Sequence, residues 1–183
     1  MKCVILLIFI FCSVVGITQP LLMTDETTDL NFETRHLIGK LEGTARGING
    51  TLILDSLNPS TSSFRFSFAT STFLHNDFYL GPDLTRPDCF DVNRNPTVDL
   101  VSSSITKLSA PNQYLFKGAL IIKGISRDIT FPITATPNIG GYDIRFQFQF
   151  LKRNYQLQCA FHKRMTVKVK GYAKRKLPEA GDR

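Results

Sequence analysis

Three histidines, a close pair of aspartates and four cysteines are the residues of this chain best suited to covalent or acid–base chemistry. His36, His75 and His162 lie far apart and lack metal-ligand spacing. The sequence holds no His-Glu-x-x-His, no Gly-x-Ser-x-Gly and no Gly-rich phosphate loop. Asp88 and Asp91 stand either side of Phe90, and paired carboxylates are the minimum for general acid–base work. Their setting, after Arg86-Pro87, favours turn or helix capping instead. A hydrolase built on His75, Asp77, Asp88 and Asp91 therefore ranks last among the functional readings. No catalytic residue, cofactor or metal site is predicted.

Apolar side chains placed to enclose something are far more numerous, and strands must position them. Residues 142 to 150 alternate without a break, so Tyr142, Ile144, Phe146, Phe148 and Phe150 share one face. Asp143, Arg145, Gln147 and Gln149 occupy the other. Residues 63 to 72 repeat the pattern with Phe64, Phe66 and Phe68. Val98 and Leu100 face one way in the segment 97–105, and Phe116, Gly118, Leu120 and Ile122 share a face in 114–123. Ile129, Phe131 and Ile133 follow, although Pro132 among them argues for an edge or a bulge. Leu30, Phe32, Leu37 and Leu41 suggest one or two strands early on, and Val167 and Val169 point inward in a closing strand. Residues 74 to 96 break the rhythm with Asn, Asp, Gly and Pro, so a long connection with one or two short helical turns is expected. No long amphipathic helix is evident.

This pattern predicts an all-β protein, an antiparallel barrel or sandwich of about eight strands. A barrel of that size either fills with side chains or holds one small ligand. The 183 residues fit one domain. Residues 1–18 read as a secretory signal peptide: Lys2, then the apolar run Val4 to Phe11, then Ser13, Gly16 and Thr18 as a cleavage zone. The bulky Phe9-Ile10-Phe11 argue against a lipid anchor on Cys12. Residues 24–174 form the domain and 175–183 a polar tail. Export implies a periplasmic or extracellular location. It also leaves Cys89 and Cys159, either one disulfide or two small buried hydrophobes.

The formal charge of +7 is uneven: residues from 101 onward carry 15 Lys+Arg against 4 Asp+Glu, leaving the first hundred at 7 against 11. Most of those cations alternate with apolar residues and so belong to solvated strand faces. Nucleic acid is not an expected partner, whereas peripheral contact with an anionic membrane is.

Several segments resemble the YceI-like family. Asp88-Cys89-Phe90-Asp91-Val92-Asn93-Arg94-Asn95-Pro96-Thr97-Val98 is similar to its stretch of aromatics, Asp-Val and a proline entering a strand. Phe116 to Ile129, with Gly118-Ala119-Leu120-Ile121-Ile122-Lys123-Gly124, resembles its Gly-x-Leu-x-Ile-x-Gly signature. Arg153-Asn154-Tyr155 and the paired glycines of Gly43 to Thr51 resemble two further elements. The resemblance covers roughly residues 30 to 172 and implies a lipocalin-like antiparallel eight-stranded barrel. It also implies that the interior holds an isoprenoid, an isoprenoid quinone or a fatty-acid-like lipid.

The leading functional reading is thus an exported, non-enzymatic lipid binder. Its ligand-binding walls are Phe64, Phe66, Phe68, Leu100, Phe116, Leu120, Ile122, Ile144, Phe146, Phe148 and Phe150. The alternative is a filled barrel acting as a surface interaction or stress-response module, with Lys163, Arg164, Lys168 and Lys170 as its contact patch. Tyr172 and an edge near Pro132 offer a route to a homodimer.

Overall fold

The alternating segments fold as strands and pair in sequence order. In the computed structural model, residues 19–36, 39–55, 59–75, 84–159 and 163–175 are described. The strands are β1 (Leu21–Thr24), β2 (Thr28–His36), β3 (Gly39–Thr44), β4 (Asn49–Ile53), β5 (Ser63–Ala69) and β6 (Leu74–His75). They continue as β7 (Thr97–Lys107), β8 (Gln113–Ile122), β9 (Ile125–Asn138), β10 (Gly141–Leu151) and β11 (Arg164–Arg175). Three 3-10 turns, Pro59–Thr61, Thr70–Thr72 and Lys152–Tyr155, join them, and Leu84–Thr85 is helical within the long connection.

The pairing β1-β4-β5-β7-β8-β9-β10-β11 closes through β1–β11 into an antiparallel barrel of eight strands. β2 continues the line of β1 along β11: Leu22 pairs Lys174, and Thr28 pairs Gly171 after a three-residue kink. β3 and β4 are likewise two halves of one bent strand, facing β2 and β1 respectively. The two kinks are stitched together by Asp25, whose carboxylate accepts the N–H groups of Gly47 at 3.0 Å and Ile48 at 2.9 Å. Gly47 has φ +71°, a left-handed conformation that favours glycine.

Alternation sets what the barrel encloses. Phe116, Leu120 and Ile122 of β8 are wholly buried, and the inward residues of β5, β7, β10 and β11 join them in one core. Lys168, Lys170, Arg145 and Lys117 stand outside, as their alternate positions predict. At Ser102–Ser104 the β7–β8 ladder shifts register. There Gly118 lets the strands approach: a Cβ on it would lie 2.2 Å from the Val101 carbonyl oxygen. The bulge turns Ser102 so that its Oγ accepts the Phe64 N–H at 2.8 Å.

Pro132 marks where β9 parts from β10. Their ladder runs from Gly141–Asn138 to Phe146–Ile133 and stops one residue short of Pro132, which has no N–H to continue it. From Ile125 to Pro132, β9 pairs with β8 alone. Tyr172 pairs with Asp143 inside the barrel wall, and its hydroxyl donates to the Ile139 carbonyl oxygen.

Candidate functional site: an apolar slot beneath a stapled lid

One end of the barrel carries the starts of β7, β9 and β11 and the ends of β8 and β10. Two irregular segments close it. Residues 84–96 form a lid, folded on itself by Phe90 N–H to Leu84 O at 3.2 Å and Asn95 N–H to Asp91 O at 2.8 Å. Asp91 sits at φ +50° in this turn, and its carbonyl also takes the Arg94 N–H at 3.0 Å. Thr70 ties the lid to the barrel, its Oγ1 donating to Asn95 O at 2.8 Å. The lid is apolar underneath: Leu84, Cys89 and Phe90 are buried.

The second segment, residues 152–159, plugs the gap between β9 and β10. Its Tyr155 is buried against Phe150, ring centroids 5.6 Å apart, and its hydroxyl donates to Leu120 O at 3.4 Å. Burial pushes the Tyr155 phenol up to about 12, partly opposed by the positive charge of Arg127. Arg127 Nε in turn donates to Asn154 O at 3.2 Å. Lid and plug are joined by the Cys89–Cys159 disulfide, which spans 70 residues of sequence. The Gln158 N–H to Asp88 O bond, 2.9 Å, reinforces the junction. The pairing resolves the two readings of these cysteines in favour of the bridge.

Under the lid lies a narrow slot between packed side chains, nowhere wide enough for a water molecule. Leu30 and Phe32 of β2, Phe68 of β5, Val98 of β7, Phe150 of β10, and Met165 and Val167 of β11 form its sides. Phe73, between the Thr70–Thr72 turn and β6, and Phe90 of the lid complete it. Phe73 is the hinge of this arrangement. Its ring is edge-on to Phe32 at 5.3 Å and touches Phe90 at 4.8 Å. No lining side chain carries a charge or a hydroxyl, so the slot offers nothing but dispersion and hydrophobic contact.

The eleven residues read from the sequence as ligand walls are all buried in this core. Phe68 and Phe150 line the slot. The others pack on one another further along the barrel: Phe146 lies 5.5 Å from Phe64, 5.3 Å from Phe66 and 5.6 Å from Phe131. Phe116 stacks on Phe131 at 4.6 Å. Phe73 and Phe90 were not among the predicted walls, because they come from segments without periodicity. Leu30, Phe32, Val98, Met165 and Val167 could have been found from the alternation alone.

The acid–base candidates do not form a catalytic group in what is described. Asp88 Oδ2 accepts Arg86 Nη2 at 3.0 Å, Asp91 serves the lid turn, and Asp77 and His162 fall outside the described residues. Among the described residues no three His, Cys, Asp or Glu side chains are grouped to hold a metal, and no helix is long and apolar enough to cross a membrane.

A closed up-and-down barrel with a largely apolar interior places the chain in the class of lipocalin-like β-barrels. More narrowly, residues 23–175 match the YceI-like domain, and the chain belongs to that family. No curated protein matches the chain. Among solved structures it is similar to BcnA of Burkholderia cenocepacia, with 18% identity over 80% of this chain and 96% of that one, TM-score 0.74. It is similar to the YCEI protein of Campylobacter jejuni, with 12% identity over 74% of this chain and 85% of that one, TM-score 0.64. A polyisoprenoid binding domain from Saccharophagus degradans, implicated in plant cell wall breakdown, shares 8% identity over 87% of this chain and 99% of that one, TM-score 0.63. At such identities the likeness is one of fold.

Proposed function

We propose that this protein is an exported, non-enzymatic carrier of a long apolar molecule, an isoprenoid, isoprenoid quinone or fatty-acyl chain, whose tail enters the barrel at the lid end. The observation that carries this reading is the narrow slot, lined by nine apolar side chains and roofed by a lid that is not part of the barrel wall. Membership of the YceI-like family and the polyisoprenoid-binding name of the Saccharophagus structure support it. Burying each CH2 contributes roughly 0.8 kcal/mol, so a tail of many carbons is held without a single hydrogen bond. The slot alone is too narrow for such a tail. Phe73 and Phe90 swing away with the lid, and the tail takes over the ring contacts they leave. Residues 1–18 direct export and are removed, and a disulfide is at home in an oxidising compartment.

A second reading is favoured by the ring packing: Phe64, Phe66, Phe116, Phe131, Phe146 and Phe148 touch in one continuous network along the axis. On that reading the barrel is a solid core and acts through its surface. Organic-solvent extraction of protein purified from a prenol-producing host, followed by mass spectrometry, separates the two. The carrier reading expects a stoichiometric long-chain lipid in the extract. An extract without lipid, together with no uptake of added polyprenol, leaves the filled barrel.

A further inference from the structure

The cations of this protein are not spread evenly over the barrel, and the manner in which they are held differs from place to place. Where β2 and β3 meet the start of β11, also at the lid end, Lys40 and Lys168 are neutralised by carboxylates: Lys40 Nζ lies 3.1 Å from Glu33 and 2.5 Å from Glu42, and Lys168 Nζ lies 2.7 Å from Glu33. Glu33 is held below the usual carboxylate range by its hydrogen bonds with Lys168 and Lys40. On the lid and β9 side of that end, cations are anchored to carbonyls instead. Lys123 Nζ donates to Pro87 O at 2.8 Å and Arg127 Nε to Asn154 O at 3.2 Å. A carbonyl orients an ammonium or guanidinium group without cancelling its charge.

Three exposed cations, Arg94, Arg153 and Lys163, belong to the same end, as does Arg86, paired with Asp88. Across the lid, the plug, Lys163, the β8–β9 turn, the starts of β7, β9 and β11, and the adjoining end of β2 and start of β3, the described residues hold ten Lys or Arg against six Asp or Glu (33, 42, 88, 91, 99 and 128), a formal surplus of four. The carboxyl-bearing side chain of Asp91 is buried, so it does little to screen the surface. The opposite end carries Lys107, Lys174 and Arg175 against Asp55 and Asp143, a surplus of one. An apolar point adjoins the basic face. Leu74 is 62% exposed, and it directly follows Phe73, whose ring packs on the lid's Phe90.

The geometry points to the lid end as a docking surface for an anionic phospholipid bilayer. Carbonyl-anchored cations with an exposed leucine beside them match a headgroup layer over acyl chains, which a soluble polyanion would not reward. Docking in this orientation turns the lid, and the apolar slot beneath it, toward the membrane. The inference goes beyond the lipid-carrier reading, because it concerns where the protein sits and holds whether or not the slot accepts a tail.

The test is co-sedimentation of the full chain with vesicles of phosphatidylcholine alone and of phosphatidylcholine mixed with phosphatidylglycerol, at low and high ionic strength. Neutral vesicles report whatever the apolar N-terminal residues contribute. Stronger partitioning onto the anionic vesicles, weakened by salt, is expected. The pair Arg153→Gln and Lys163→Gln, both exposed, should lower it by roughly five-fold per cation. Arg145→Gln with Lys170→Gln on the wall should leave it nearly unchanged, and Leu74→Ser should weaken it at either ionic strength. Equal binding to both vesicles, equal losses from the lid-end and wall pairs, or full displacement by heparin would each overturn the assignment.

Discussion

Removing the covalent staple between lid and plug should cost stability and free the lid while leaving the barrel folded. The perturbation is Cys89→Ser with Cys159→Ser, or reduction by a dithiol. The bridge closes a loop of 70 residues, and the loop-entropy relation converts that length to about 4 kcal/mol of lost constraint on the unfolded chain. With a urea slope of roughly 1–3 kcal/mol per molar, the unfolding midpoint should drop by about 2 M. The slope itself should steepen, since the uncrosslinked chain exposes more surface when unfolded. Cys89 is fully buried beneath the lid, so reduction of the native protein must wait for the lid to open. Hydrogen exchange followed by mass spectrometry reads the local consequence. Amides of 84–96 and 152–159 should lose protection, whereas those of β7, β8 and β10 should keep theirs. A midpoint unchanged within error, or loss of protection spread evenly over the barrel, would refute this account of the staple.

Phe146→Ala removes the ring shared by Phe64, Phe66 and Phe131 and should destabilise by about 3–5 kcal/mol in chemical denaturation, whereas Phe146→Leu should cost much less. Gly118→Val should prevent folding, because even its Cβ would meet the Val101 carbonyl oxygen at 2.2 Å; soluble yield and circular dichroism check it. The raised Tyr155 phenol favours the folded state fully below the unfolded value of 10.0, and that contribution is lost as pH climbs toward about 12. Ultraviolet titration should therefore show a late tyrosine component that shrinks in Tyr155→Phe, the remainder being the buried Tyr114, and the variant's stability should fall less steeply above pH 10.

Much of the barrel was legible because strand alternation is enforced by the two-sided geometry of a sheet with water outside. Of the inward residues read from 63–72, 97–105, 114–123 and 142–150, all are buried except Gly118 and Tyr142, which are half-buried. The four residues of β1 gave no such signal, being too few to show a period and lying shortly after the apolar run Val4 to Phe11. The kinks at Asp25–Thr27 and 45–48 were also hidden, since they depend on one carboxylate meeting two amides across the barrel. Pro132 did announce its own effect, as a residue without an N–H must end a ladder. The slot was only half readable. Its strand residues follow the alternation, but Phe73 and Phe90 are placed by a 3-10 turn and a disulfide-bound lid that no periodicity encodes. Spacing could not decide the cysteine pairing, which rests on the lid and plug meeting in space.

The most direct measurement of the central claim is a crystal structure of the protein loaded with a long-chain polyprenol. The account predicts continuous tail density entering between Phe32, Phe73 and Met165, with Phe90 and the lid displaced outward. An unchanged ring network with no density inside the barrel would contradict it.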